Sequence, residues 1–178
     1  PQRQVRLEVL SHKKTLLMPT PRLRSGFILL DHTVPRDRVR LASSIRGAFM
    51  VGRKISLDRL PRIDLAVVGS VAVSPDGGRI GKGEGYSEME YAILRELKII
   101  SDSIPIVTTV HDLQIVPSVP QEDHDIAVDY IATPTRVLAT NRTRPRPAGI
   151  IWSKISAEMM EKMPVLRELW ERRAHQPK

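Results

Sequence analysis

The sequence predicts a layered α/β fold built on a mainly parallel sheet flanked by helices. Three observations carry that reading. Residues 63–73 (IDLAVVGSVAV) are nearly all apolar and rich in Val, as a strand covered on both faces must be. Ser87 to Leu97 then places Met89, Ala92, Ile93 and Leu97 on one side of a helix. Further strand-like runs recur at Ile104–Val110, Tyr130–Thr133 and Val137–Ala139, so buried strands alternate with helical segments.

The other elements follow in order. Val5–Leu10 reads as the end of a helix, and Thr15–Pro19 (TLLMP) as a short buried strand stopped by its proline. Pro35–Phe49 opens with Pro and sets Val39, Ala42, Ile45 and Phe49 at helical spacing, which predicts one helix with Gly47 near its end. The 63–73 run is expected at the centre of the sheet, and Asp76-Gly77-Gly78 is a turn. Residues 140–148 (TNRTRPRPA) form a basic, Pro-containing loop, followed by a short apolar run at Gly149–Trp152. Ser156 is an N-cap candidate for a C-terminal helical segment over 156–173. Its stripe of Met159, Met163, Leu166, Leu169 and Trp170 reads as core or interface packing, with Pro164 bending or splitting the helix. The 178 residues suit a single domain.

Composition removes several functions. There is no Cys, which excludes a thiol nucleophile, a disulfide and a Cys-based zinc site. No apolar run approaches the roughly 18 residues of a membrane helix, so no membrane partner is expected. Pro1–Lys14 is polar and basic rather than a signal peptide, which points to the cytoplasm. The chain starts at Pro1 without an initiator Met, as if an upstream segment were absent. A count of 20 Arg against 8 Lys, with one Asn, points weakly to a thermophilic source.

The net charge of +8 invites a nucleic-acid reading, but the charge is segregated. Residues 1–62 carry 14 basic and 4 acidic side chains, residues 63–134 carry 4 and 12, and residues 135–178 carry 10 and 4. An acidic centre between basic flanks suits a metal-plus-phosphate site better than a nucleic-acid coat, although solvated faces can sort this way too.

Most of the chemistry lies in residues 67–90 (VVGSVAVSPDGGRIGKGEGYSEME), where a buried strand runs into a glycine-rich turn and then a helix. Gly81, Gly83 and Gly85 alternate with Lys82 and Glu84. Glycines there let the backbone approach a ligand and take positive φ, and the turn with the following helix N-terminus makes an anion cradle. Arg79 and Lys82 add positive charge, and Tyr86 adds a ring and a hydroxyl. The spacing matches neither a Walker A loop nor a GxGxxG fingerprint, and such turns also occur as plain connectors.

A second stretch, residues 110–129, holds His111, Asp112, Glu122, Asp123, His124, Asp125 and Asp129. Two His and no Cys make a poor zinc set, whereas carboxylates suit Mg²⁺, which takes one or two of them plus phosphate oxygens. The plain alternative is a polar loop with cap residues, in which His111 and His124 are structural hydrogen-bonding groups.

Together these stretches resemble the 5-formyltetrahydrofolate cyclo-ligase family, also called methenyltetrahydrofolate synthetases. The family signature is a strand, then R-[LI]-G-x-G-x-G-Y-Y-D, and downstream V-P…D…V-D; here Arg79 to Glu88 and Val119 to Asp129 stand in those places. "TPRLR", "VVGSVAVS", "RIGKGEGY", "VHD" and "EDHD" extend the likeness to a divergent branch, the methenyltetrahydrofolate synthase domain-containing proteins, over about residues 1–172.

The resemblance implies a Rossmann-like fold of cyclo-ligase type. It also implies a reaction in which ATP, with Mg²⁺, phosphorylates the formyl oxygen of 5-formyltetrahydrofolate. A neighbouring folate nitrogen then attacks, giving 5,10-methenyltetrahydrofolate, ADP and phosphate. It assigns Arg79, Gly81, Lys82, Gly83, Gly85 and Tyr86 to the nucleotide, and Lys82, Gly83, Glu84, Gly85 and Tyr86 to the reduced folate. Glu88 and Asp129 are the Mg²⁺ candidates, with His124 and Asp125 as further candidates. Three departures stand out. Ser87 replaces the second Tyr, Glu88 replaces Asp, and the family's N-terminal Lys and Arg that help hold ATP precede Pro1.

Two other readings compete. A non-catalytic nucleotide- or RNA-binding member would use the Arg142-Thr143-Arg144-Pro145-Arg146 loop, but no aromatic side chain interleaves it for base stacking. A scaffold would use the Met-rich C-terminal stripe to form a homo-oligomer or dock a partner.

Overall fold

The structure, a computed structural model, describes residues 2–175. The chain is a mixed α/β protein that divides into two compact units, Pro1–Leu60 with Ser153–Lys178, and Pro61–Trp152.

The first unit begins with α1 (Arg3–Ser11), β1 (Leu16–Pro19), β2 (Phe27–Leu30), α2 (Val39–Ala42), α3 (Ile45–Val51) and β3 (Arg53–Ile55). Its strands form an antiparallel sheet in the order β1-β2-β3. The central strand, FILL, is buried at every position, and this is why it shows no alternation in the sequence. Leu10, Met18, Ile28, Leu30, Ala42 and Ala48 form one apolar cluster beside it.

The helix expected over residues 35–49 is broken. Ser43 donates its hydroxyl to the Arg40 carbonyl, and the Ser44 side chain accepts the Gly47 N–H to start α3 afresh. The two short helices meet closely enough that a Cβ on Gly47 would stand 1.9 Å from the Leu41 carbonyl oxygen. Glycine is required there by contact, not by backbone angle.

The second unit holds β4 (Ala66–Val68), β5 (Ala72–Val73), β6 (Arg79–Ile80), α4 (Tyr86–Glu96), β7 (Ile106–Thr109), β8 (Tyr130–Ala132) and β9 (Val137–Ala139). The main sheet runs β4-β7-β8-β9, with β4/β7 and β7/β8 parallel and β8/β9 antiparallel. The 63–73 run is therefore two strands, broken at Gly69-Ser70, and its first half is an edge of this sheet rather than its centre. Only β7 and β8 are flanked on both sides. β5 and β6 pair as a hairpin across Ser74–Gly78.

From α4, Tyr91 packs with Ile106, Val110, Ile126 and Ile131, so the helix covers the face of the sheet that carries the even-numbered residues of β7. The run at Gly149–Trp152 forms no strand.

The chain then returns to the first unit with α5 (Ala157–Lys162) and α6 (Pro164–Ala174). Ser156 caps α5 by accepting the Met159 N–H, and Pro164 starts α6, so the C-terminal segment is split at the proline as expected. Met163, Leu166 and Leu169 are buried, which makes the stripe core packing over most of its length, while Trp170 stays 47% exposed.

Candidate functional site

The β5–β6 hairpin delivers Arg79 beneath the glycine turn. Its side chain has no exposed surface and is ion-paired with Glu88 on the first turn of α4. Nη1 donates to the Gly69 carbonyl at 2.8 Å, just past the C-terminal end of β4. Nε is buried with no hydrogen-bond partner. Arg79 thus ties the strand end, the turn and the helix start together with one donor left over.

Above it, Gly83 (φ +83°) and Gly85 (φ +69°) are left-handed, and a Cβ on either would meet nothing within 4 Å. The backbone angle, not crowding, demands glycine there. Gly81 is different: its φ is not left-handed, and a Cβ would sit 3.4 Å from Arg79 Nη1. Gly85 starts α4 with no side-chain cap, so the first N–H groups of an 11-residue helix face the turn without one. Lys82, Gly83 and Glu84 are exposed, and Tyr86, Ser87 and Glu88 are half-buried. The predicted nucleotide and folate residues therefore form one contiguous surface, with Arg79 as its floor.

Glu90, two residues past Glu88 on α4, was given no role by sequence reasoning. Burial, and next the negative charge of Glu88, push its carboxyl up to about 8 against the pull of Arg79. Nothing in the sequence distinguishes it from a solvated helix glutamate; the signal appears only once its surroundings are known.

The candidate metal ligands do not converge. Asp129 precedes β8 and accepts the Ile106 N–H at 2.8 Å, at the N-terminal end of β7, whereas Glu88 and Arg79 stand at the C-terminal end of β4. Strand register separates those levels by three residues, about 10 Å at roughly 3.3 Å each. Asp129 is also committed, accepting Arg146 Nη2 at 2.5 Å and Arg142 Nε at 3.1 Å. Burial acts to raise its pKa, but those bonds and the Arg146 charge overcome it and hold the carboxyl below its usual range. His124 and Asp125 occupy a tight turn with Glu122, whose N–H donates to Asp125 at 2.6 Å; His124 Nδ1 lies 3.5 Å from the Glu122 carboxylate. Among the described residues, no group of three or more His, Cys, Asp or Glu side chains is arranged to hold a metal.

The loop at 140–148 is not a free basic patch. Arg146 is fully buried and donates to the Ala127, Asp102 and Ile104 carbonyls as well as to Asp129. Arg142 joins it on Asp129, and Arg144 donates to the Gln121 carbonyl.

A polar network behind the site also went unassigned in the sequence. Gln114 Nε2 donates to the Ser70 and Val71 carbonyls (3.2 and 3.0 Å), while its Oε1 accepts the His111 N–H at 2.7 Å. Thr108, with no exposure, donates to the Val68 carbonyl and shares a 2.6 Å hydrogen bond with Ser70 Oγ. The loop after β7 is thereby fastened to the loop after β4. The spacing His111-x-x-Gln114 carries the signal, since it is that of a capping box. Asp112 accepts from Thr133 and Thr135 and so braces the loop after β8.

Comparisons with known proteins give a consistent picture. The 5-formyltetrahydrofolate cyclo-ligase family matches residues 1–134. A methenyltetrahydrofolate synthase domain-containing protein of Bos taurus is 51% identical over 176 residues, covering 95% of this chain and 46% of the bovine protein. Its Homo sapiens counterpart is 52% identical over 172 residues, covering 93% and 44%. A 5-formyltetrahydrofolate cyclo-ligase of Mycolicibacterium smegmatis is 28% identical over 79 residues, covering 44% and 38%. The chain spans about half the length of the animal relatives it matches.

Proposed function

The chain belongs to the 5-formyltetrahydrofolate cyclo-ligase family, and from that premise we propose that it binds ATP, Mg²⁺ and a reduced folate at the glycine turn and cyclises 5-formyltetrahydrofolate to 5,10-methenyltetrahydrofolate. The observation that carries the reading is the uncapped start of α4 behind two left-handed glycines, over a buried arginine with an unmet donor. That is an anion cradle with a charged floor.

The residues fit the ligands the family implies. N–H groups of the turn and of the first turn of α4 would donate to phosphate oxygens, and exposed Lys82 adds a cation. Arg79 keeps the turn's base rigid and contributes its charge from below. The Glu88 carboxylate, 15% exposed and paired with Arg79, is the group that would hold Mg²⁺. Asp129 stays with Arg142 and Arg146 as an anchor of the strand ends. Gly83 and Gly85 leave room for a flat ring system beside Tyr86. When bound, ATP supplies the phosphoryl group and Mg²⁺ screens its charge. The protein's own part is positioning and electrostatics, with no protein nucleophile. A Rossmann-like arrangement of the second unit and a cytoplasmic location belong to the same proposal.

A second reading is a nucleotide-binding member without turnover. It is favoured by the Arg79–Glu88 pair, which must loosen before Glu88 can serve a metal, and by Ser87 in place of the motif's second Tyr.

The test is incubation of the protein with ATP, Mg²⁺ and 5-formyltetrahydrofolate, followed by the absorbance of the methenyl product. Product formation that disappears without ATP supports the enzyme. ATP–Mg²⁺ binding by calorimetry with no product supports the second reading, and absence of both overturns each.

A further inference from the structure

We infer that a cleft at the far end of α4 from the glycine turn binds a small organic anion with an apolar body, a medium-chain carboxylate or phosphate monoester. The cleft has a volume of about 630 Å³, within the range of small-molecule sites. It opens where α4 ends and where the chain approaches β4 and β7: Ile63 precedes β4, Ile104 precedes β7, and the Ile63 N–H donates to the Ile99 carbonyl at 3.5 Å. An 11-residue helix, about 16 Å long, separates it from the glycine turn.

Charge and apolarity are both in place. Arg62, Arg95 and Lys98 line the cleft, and among the described residues none of the three has an ion pair with a carboxylate. Glu96, the one acidic residue lining it, keeps its charge but is outnumbered by the three cations, and its two oxygens are engaged by the segment before α5. Its Oε1 accepts Trp152 Nε1 at 3.2 Å and its Oε2 accepts the Ile150 N–H at 3.1 Å. Arg95 is held in place by the Pro147 and Ile100 carbonyls through Nε and Nη1, and its Nη2 makes no hydrogen bond among the described residues.

The negative pole of α4 accounts for the sign of Arg95 and Lys98. It does not account for Arg62, which comes from a separate segment, nor for Lys98 at φ +57°, a left-handed position that usually goes to Gly. Ile100 and Ile104, 4% and 8% exposed, form an apolar floor, and Ile63 and Ile99 are half-buried beside them. Three cations against one carboxylate, over four isoleucines, select a ligand carrying both an anionic head and an apolar body. Either part alone leaves half of the surface unmatched.

The experiment is calorimetric titration of the protein at low salt with four probes below their micelle concentrations: decanoate, decyl phosphate, decanol and inorganic phosphate. The two amphiphilic anions are expected to bind one to one, with affinity falling as salt rises, and the other two at least tenfold more weakly. Arg62→Gln with Lys98→Gln changes two exposed side chains and should lower decanoate affinity at least tenfold without altering the thermal unfolding curve. Ile63→Ser, as a second variant, should weaken both amphiphiles alike. The inference is overturned if neither amphiphile binds, if decanol binds as tightly as decanoate, or if the double variant binds unchanged. It is equally overturned if Arg79→Ala alone abolishes binding, or if the protein sediments with phosphatidylglycerol vesicles yet ignores monomeric decanoate.

Discussion

Arg79 and Arg146 are both fully buried arginines paired with a carboxylate, and they differ in what is left over. Arg146 donates from all three nitrogens, to Asp129 and to three carbonyls, and Asp129 in turn accepts from Ile106 and Arg142. That knot is closed. Arg79 bonds Glu88 and one carbonyl, keeps Nε orphaned, and lies under a turn that is open to solvent. The same residue types build an anchor in one place and a candidate site in the other. What separates them is whether the hydrogen-bond inventory closes, since a buried donor left unmet calls for an explanation of its own.

The hardest way to break the comparison is to remove each arginine. Arg146→Ala should cost about 3–5 kcal/mol of unfolding free energy, because it strands Asp129 and three carbonyls. Urea denaturation reads this, and a loss as small as that of an exposed arginine would show that the knot is not an anchor. Opposite pH signs sharpen the contrast next. Glu90, raised to about 8, holds a proton in the fold that the unfolded chain releases. Stability is therefore full below the ordinary glutamate range and falls as pH rises toward 8. Asp129 is lowered, so its contribution is present above the ordinary aspartate range and is lost as pH falls through its folded value. Melting curves of Glu90→Gln should flatten the alkaline limb only, and those of Asp129→Asn the acid limb only.

Arg79→Ala follows in size. It should weaken ATP–Mg²⁺ binding at least tenfold by calorimetry, about 1.4 kcal/mol, while costing less stability than Arg146→Ala. Equal damage to folding from both substitutions would erase the distinction. The glycine substitutions come last: Gly85→Ala forces a Cβ into the left-handed region at a cost of about 1–2 kcal/mol in unfolding, but at a position where space is free. Gly81→Ala, with no left-handed angle to pay for, should cost less.

Local features were the legible ones. The glycine turn, the helix behind it, the Ser156 cap and the break at Pro164 all rest on neighbours a few residues apart, and their chemistry is written in single letters. The long-range partners were not. Arg146 reads as one of three arginines in a basic loop, yet its bonds reach back 17 to 44 residues. Asp129 reads as a metal candidate because an aspartate does not announce whether arginines wait for it. The helix over 35–49 failed for a local reason, two serines whose hydroxyls compete with the backbone, and the strand at 63–73 failed because Gly69-Ser70 turns it away from the ladder.

The Gln114 side chain has a mechanical consequence. One amide grips the loop after β4 by two carbonyls and the loop after β7 by an N–H. Gly69, which lies in the first of those loops, also carries the Arg79 contact. The glycine turn is thus joined through Arg79 to Gly69, and the loop that holds Gly69 is joined through Gln114 to His111. The two loops therefore depend on a single amide, whose removal would leave two carbonyls and one N–H to find new partners.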